Sequence, residues 1–292
     1  MGRRLASAPW PARLAPVRAG AMKLAWTLLE ARLVRTPVRY SLRELVTHTS
    51  GDYVLRPARG RITLRHSTGD IDIFRKFYGY DYYRWPDEVV ARLSALGRPV
   101  NVLDLGANVG LFDVHAQQRF TLGSVVAFEP DPDNARVLER VRDANGAGWT
   151  LVRACASNRD GTAMFESGRQ NFSRIGGGEG SPVQTVDVLP EVLRADLVKM
   201  NIEGSEWEIL QDPRLADSSA IWIVEYHRIR NPEPDFHGLV TQLFERNGFV
   251  TRVQVRTADN GLMWAWRAQP STAPHEHGQA APGRLGGGSP TR

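Results

Sequence analysis

The sequence predicts an α/β protein built on a doubly wound, mostly parallel sheet, with a small hairpin and helical lead-in ahead of it. Three observations carry that expectation. From Val100 onward, seven apolar runs of strand length alternate with segments of helical period, the pattern of a parallel sheet covered on both faces. The first run, VLDL, breaks into Gly106-Ala107-Asn108-Val109-Gly110, a strand-to-helix turn. The last two runs are joined by Ala258-Asp259-Asn260-Gly261, and Asn-Gly is a strong hairpin signal, so the sheet should close with an antiparallel strand.

Taken in order, residues 1–40 read as a basic arm with a candidate helix. Its longest charge-free apolar stretch, Leu24–Leu29, is too short for a signal-peptide core or a membrane span. Residues 41–99 form the lead-in. Tyr53–Leu55 and Arg61–Arg65 alternate apolar and polar residues around Pro57 and Gly60 as a hairpin does. Asp70–Arg84 then reads as a short helix and an aromatic loop, and Asp87–Leu96 as a helix after Pro86. The sheet domain, residues 100–268, has candidate strands at Asn101–Leu105, Ser124–Phe128, Thr150–Ala154 and Leu197–Ile202. Three more follow at Ile221–Tyr226, Phe249–Val255 and Leu262–Arg267. Helices are expected at Gly110–Gln118, Asp133–Ala144, Gly204–Gln211 and Phe236–Asn247. Ser167–Ser181, with Gly176-Gly177-Gly178, reads as a mobile loop. Residues 269–292 hold one large apolar residue, Leu285, and are expected to be disordered. His275 and His277 in that tail read as a solvated pair, not as metal ligands.

Charge narrows the range of partners. Of a net charge of +5, residues 1–40 contribute +7, from eight basic residues against Glu30 alone, which leaves the body at −2. The body therefore has no basic excess of the kind that nucleic acid selects. The arm is expected to be solvated, with contact to an anionic surface as the alternative. Cys155 is the single cysteine, which excludes an intrachain disulfide and a cysteine-based zinc site, and no metal is expected. Ala6 breaks the myristoylation pattern, and a cytoplasmic location is the default expectation. Met22 is an alternative start; native peptides from residues 1–21 would exclude it.

The turn after the first strand is D-x-G-x-N-x-G, Asp104 to Gly110, and not the G-x-G-x-x-G of a dinucleotide site. Gly106 and Gly110 allow a tight bend around Ala107. Asn108 crowds a diphosphate but offers hydrogen bonds and tolerates a left-handed backbone. A phosphate-free ligand with a carboxylate and an amine suits such a loop, and Asp104 could answer a cationic group. Glu129, nineteen residues after Gly110, ends the second strand where a carboxylate can accept both ribose hydroxyls. Adenine would then lie between Phe128–Pro130 and Ala154-Cys155-Ala156-Ser157, with Cys155 as a small apolar wall residue. Asp131 and Asp133 suit helix capping. S-adenosyl-L-methionine has these features; a nicotinamide reductase is disfavoured by the glycine spacing.

VLDLGANVG, AFEPDPDN, VKMNIEGSEWEIL and IVEYH resemble the FkbM-type methyltransferases, a branch of the class I S-adenosylmethionine-dependent enzymes. The lead-in ITLRHSTGDIDIF and GYDYYRWP is similar to the section that precedes the core in that family, so the resemblance runs from about Gly51 to Arg267. It implies a Rossmann-like seven-stranded sheet with a reversed last strand. It also implies methyl transfer, usually to oxygen, on small molecules or sugars. The chain departs from the family at Asn201, where an aspartate is usual. An amide cannot act as a general base, although it can orient an acceptor.

Ligands of open α/β sheets sit beyond the carboxyl ends of the strands. That gathers Asn201 and Glu203 after the fourth strand with Glu225 and His227 of the fifth, the last two on one side of an extended segment. His227, with an ordinary pKa near neutrality, is the first candidate base and Glu203 the second. In the bland alternatives Glu203 caps the following helix and His227 is structural. Trp207 and Leu210 fall on the core face of that helix, and Asp187 starts a short helix. Tyr80, Tyr82, Tyr83 and Trp85 either face the acceptor or pack the lead-in against the sheet. The function expected is O-methylation of a small molecule, sugar or glycoside. The alternative is a non-catalytic S-adenosylmethionine-binding protein, which Asn201 keeps open.

Overall fold

The computed structural model describes residues 15–57, 60–146, 148–166, 174–175, 180–229 and 233–268. Helix α1 (Ala15–Ala31) leads into α2 (Pro37–Leu42) and a single π-helical turn over Arg43–Thr47. Strands β1 (Gly51–Val54) and β2 (Arg61–Leu64) pair antiparallel, and Val34 extends the pairing by bridging Leu55. Helices α3 (Gly69–Tyr78) and α4 (Asp87–Ser94) complete the lead-in.

The central sheet uses β3 (Val100–Leu105), β4 (Leu122–Phe128) and β5 (Thr150–Val152) on one side. On the other side stand β10 (Leu197–Met200), β11 (Ile221–His227), β12 (Phe249–Arg256) and β13 (Asn260–Arg267). Their order is β12-β13-β11-β10-β3-β4-β5, with β13 antiparallel to both of its neighbours and the rest parallel. The chain winds outward from β3 through β4 and β5, then returns to β10 on the opposite side of β3. The crevice at this reversal, beyond the carboxyl ends of β3 and β10, is where such sheets hold ligands. Helices α5 (Leu111–Arg119), α6 (Pro132–Ala144), α8 (Glu206–Leu210) and α9 (Phe236–Glu245) cover the faces.

Strand periodicity divides the interior in two. Val100, Val102, Ile221 and Ile223 face one layer, shared with the lead-in residues Tyr40, Tyr53, Phe74 and Phe77. Leu103, Leu105, Trp222 and Val224 face the other, with Trp207 and Leu210 of α8 in it as expected. The lead-in is thus part of the core.

Four expectations need correction. The strand expected over Thr150–Ala154 stops at Val152. The chain then leaves for a second, four-stranded sheet in the order β6-β9-β7-β8, which the sequence reading missed. It comprises β6 (Cys155–Ser157), β7 (Gly161–Glu166), β8 (Arg174–Ile175) and β9 (Ser181–Asp187). β7 is largely exposed and lacks apolar alternation, so its period was unreadable. The expected loop Ser167–Ser181 therefore contains β8 and the start of β9, and the rest of it, with the triple glycine, lies outside the described residues, as does the tail from 269. The fourth strand ends at Met200 and its helix begins at Glu206, because Glu203 and Gly204 take positive φ values of 54° and 100°. Finally, the arm is not simply solvated. Thr27, Glu30, Ala31, Val34 and Tyr40 are buried, and Glu30 accepts hydrogen bonds from Tyr40 Oη (2.9 Å) and Arg75 Nε (2.5 Å).

Candidate active site

The loop from Gly106 to Gly110 closes over the end of β3 in left-handed backbone at Gly106 and Gly110 (φ 78° each) and at Asn108 (φ 51°). A Cβ on Gly106 would stand 1.9 Å from the Asn201 carbonyl oxygen, so the two strand ends meet there and only glycine fits. Beneath the loop, Lys199 Nζ lies 2.9 Å from Asp104 Oδ1 and donates to the Gly106 carbonyl at 2.5 Å. Burial raises the Asp104 carboxyl, and the Lys199 ammonium opposes that rise. Asp113 of α5 is buried beside them; desolvation, then the Asp104 charge, pushes its carboxyl far above the ordinary range. Asp104 is a candidate partner for a cationic ligand group in the sequence. It is instead fully buried against Lys199, and neither it nor Gly110 lines the cavity. Both support the loop from below.

Glu129 follows β4 and faces the loop. Its Oε2 accepts from the Asn108 N–H at 2.7 Å and its Oε1 from the Asp131 N–H at 2.9 Å. Burial pushes its carboxyl up to about 7, although these backbone hydrogen bonds favour the charged form. Asp131 caps α6 as expected, accepting from the N–H groups of Asp133 and Asn134.

A cavity of about 840 Å³ opens beyond the strand ends. On the β4 side it is lined by Ala107, Asn108, Glu129, Pro130, Cys155 and Ala156, which the sequence had placed together. Burial, with the Glu129 charge, pushes the Cys155 thiol up to about 12, so it is a neutral wall residue. On the β10–β11 side stand Asn201, Glu203, Glu225 and His227, joined by Lys76 and Tyr83 of the lead-in.

Glu225 is buried at the centre of this second group. It accepts from Tyr83 Oη (2.6 Å), Lys76 Nζ (3.1 Å), Asn201 Nδ2 (3.2 Å), Asn260 Nδ2 (3.3 Å) and Tyr82 Oη (3.4 Å). Burial works against its charge, but Lys76 and the Tyr83 hydrogen bond outweigh it and hold the carboxyl below its ordinary value. Tyr83 lines the cavity, whereas Trp85 stacks on His115 at 5.6 Å and Tyr80 is exposed.

His227 Nδ1 lies 3.0 Å from Glu206 Oε1, and its Nε2 lies 3.6 Å from Glu203 Oε2. Burial penalises the imidazolium. The hydrogen bond and charge of Glu206, backed by Glu203 and Glu225, more than offset that and raise His227 to about 9. Glu203 is raised as well, by burial, to about 7, with His227 opposing the rise, so its neutral form is favoured where the charged form of His227 is. The order inferred from ordinary pKa values therefore inverts. His227 is a cation at neutral pH with no lone pair for a proton, whereas Glu203 titrates near neutrality.

Glu206 was missed by the sequence reading. It is fully buried and accepts from the N–H groups of Ile202 (3.1 Å) and Gly204 (2.8 Å), which precede α8; the N-cap of that helix is Ser205, not Glu203. The signal of Glu206 was an acidic residue in a helix's first turn, which suits an exposed carboxylate equally well. Lys199 was also missed, although it is the one charge in the buried strand LVKM. Among the described residues, no group of three or more His, Cys, Asp or Glu side chains could hold a metal ion.

No protein of curated function matches the sequence. Among solved structures, the chain is similar to an FkbM methyltransferase from Methylobacillus flagellatus, at 13% identity over 85% of this chain and 60% of that one, with a TM-score of 0.43. It is also similar to a precorrin-6y C5,15-methyltransferase from Geobacter metallireducens, at 17% identity over 62% of this chain and 88% of that one, with a TM-score of 0.37. A third is the 16S rRNA N2 G1207 methyltransferase of T. thermophilus, in complex with AdoMet and guanosine, at 15% identity over 75% and 50%, with a TM-score of 0.38. The profile of the methyltransferase FkbM domain matches residues 104–251, from the buried aspartate of β3 into β12. With just over half its length under that profile, the chain belongs to the FkbM methyltransferase family.

Proposed function

We propose that the protein uses S-adenosyl-L-methionine to methylate a hydroxyl of a small molecule, sugar or glycoside. The observation that carries this reading is the division of one cavity between a carboxylate-bearing apolar half and a densely hydrogen-bonded polar half. The residues fit the cofactor. Glu129 is an acceptor for ribose hydroxyls, and Phe128, Cys155 and Ala156 offer apolar wall for adenine. The loop at 106–110 is held against β10 by the Gly106 carbonyl–Lys199 contact and by the glycine-only approach of Gly106 to Asn201.

Bound there, S-adenosylmethionine supplies a methyl group already activated by its sulfonium, so the protein mainly aligns the acceptor and removes its proton. Asn201 Oδ1 is buried without a hydrogen-bond partner in the structure, and an acceptor hydroxyl would satisfy it. Asn201 is in turn fixed by donating to Glu225. Glu203, titrating at about 7, is the base we assign to the hydroxyl proton as the carbon–oxygen bond forms. His227 and Lys76 are the cations that hold Glu203 and Glu225 in place.

The test has two arms. Calorimetry should give S-adenosylhomocysteine binding, tighter than NADH, and mass spectrometry of acceptor panels should find hydroxyl products heavier by one methyl. NADH binding more tightly would refute the cofactor assignment. Asn201 in place of aspartate favours the second reading, a binding-only relative. That reading predicts cofactor uptake with no product from any acceptor.

A further inference from the structure

Helix α1 lies on the body through Thr27, Glu30 and Ala31, whereas large apolar side chains stand on its outer surface: Met22, Leu24, Leu28 and Leu29 are exposed there. The neighbouring α2 and π turn, against which α1 packs, add Val38, Leu42 and Val46 at four-residue intervals. Each of these side chains is 46% or more exposed. Of thirteen large apolar residues exposed among the described residues, these seven fall within positions 22–46, so the patch is a cluster and not the ordinary scatter of surface leucines.

Within residues 20–47 the exposed charge has one sign. Lys23, Arg32, Arg35 and Arg39 are exposed. The two acids in the segment, Glu30 and Glu44, are 2% and 5% exposed. Both are held by partners within the protein: Glu30 by Tyr40 and Arg75, and Glu44 by His66, the Ser67 N–H and the Lys23 ammonium at 3.5 Å, which leaves Arg32, Arg35 and Arg39 as the cations the face offers. No carboxylate of residues 20–47 reaches the surface.

We infer that this face docks on an anionic lipid bilayer surface. Leucines entering the headgroup region with lysine and arginine heads at phosphate level is the arrangement by which interfacial helices bind. Among the described residues no helix is long and apolar enough to cross a membrane, so the segment lies on the bilayer and does not span it. A second copy on the same face would set like charges against each other across a two-fold interface. Helix α3 links the face to the cavity, since Arg75 holds Glu30 of α1 and Lys76 lines the cavity wall. The inference stands on the surface alone and does not depend on the methyl-transfer reading.

Co-sedimentation of the full chain with vesicles tests it. The protein should pellet with equimolar phosphatidylcholine and phosphatidylglycerol, and not with phosphatidylcholine alone. The double substitution Arg32→Gln and Arg35→Gln should weaken partitioning roughly 25-fold, from about fivefold per cation near such a surface. High salt should weaken it similarly. Leu28→Ser with Leu29→Ser should abolish it while the melting temperature stays unchanged, because both side chains are half exposed. Equal binding to both vesicle types, or to neither, overturns the inference. So does a lipid-free dimer in sedimentation velocity that Leu28→Ser dissociates, which would make a second copy the occupant.

Discussion

Replacing Glu206 by glutamine tests the electrostatics of the site most directly. Glutamine keeps one acceptor oxygen where the carboxylate uses two, Oε1 for the Ile202 N–H and Oε2 for the Gly204 N–H, and removes the charge 3.0 Å from His227 Nδ1. In the folded protein His227 is raised from 6.5 to about 9, which at about 1.4 kcal/mol per pH unit is roughly 3 kcal/mol of preference for the imidazolium. Because the folded value lies above the unfolded one, that stability is complete below pH 6.5 and is lost as pH rises through about 9. Wild type should therefore lose roughly 3 kcal/mol from this group between pH 6 and pH 10. In Glu206→Gln, burial is left to dominate, and the imidazole should titrate below about 7. The deficit of the variant against wild type should be greater at pH 6 than at pH 10 by up to roughly 3 kcal/mol, since a buried histidine without its partner escapes the penalty by losing a proton, on top of a pH-independent loss of about 1–3 kcal/mol from the N–H left without an acceptor. NMR titration of the imidazole C–H resonance, assigned by its loss in His227→Gln, gives the first quantity. Urea unfolding at the two pH values gives the second. An imidazole that titrates near 6.5 in wild type, or that does not respond to Glu206→Gln, refutes the reasoning.

Other outcomes follow from the same geometry. Glu129→Gln should weaken S-adenosylhomocysteine binding about 10- to 100-fold by calorimetry, the value of charge-assisted hydrogen bonds to the ribose; an unchanged Kd would remove Glu129 from that role. Gly106→Ala forces a Cβ to within 1.9 Å of the Asn201 carbonyl at φ 78°, and urea unfolding should register a loss of at least 1–3 kcal/mol. Glu203→Gln should lower kcat about 10²- to 10⁴-fold while leaving S-adenosylhomocysteine affinity intact, with loss of the pH-rate limb near 7. Asn201→Asp sets a second carboxylate beside Glu225, where an amide now donates at 3.2 Å, so turnover should not rise. A tenfold gain would identify Asn201 as the remnant of a lost base.

Much of the sheet and half of the cavity were legible because they depend on local pattern. VLDL and VVAF are buried runs that end in turn chemistry, so the positions of Gly106 and Glu129 at neighbouring strand ends follow from topology alone. The Asn-Gly hairpin announced the reversed strand in the same way. Lys76 and Tyr83 were not legible as Glu225 partners, because 149 and 142 residues separate them and no local period links them. The docking of α1 was hidden for a different reason: two of its inward positions are Thr27 and Glu30, polar residues that read as solvated until Tyr40 and Arg75 arrive. The inversion of His227 and Glu203 could not be read at all from ordinary pKa values, since it arises from charges that only the folded chain brings together.

The place of β13 has a consequence for synthesis. β12 touches the central sheet only through β13, which is made after it yet sits inside it. A chain still emerging from the ribosome can complete β3, β4, β10 and β11 but must leave the outer border of β11 bare and β12 unattached. Until the final apolar strand, Leu262–Trp266, is released, that bare border is open to pairing with a neighbouring nascent chain, which makes translation of this stretch the interval of greatest exposure to aggregation.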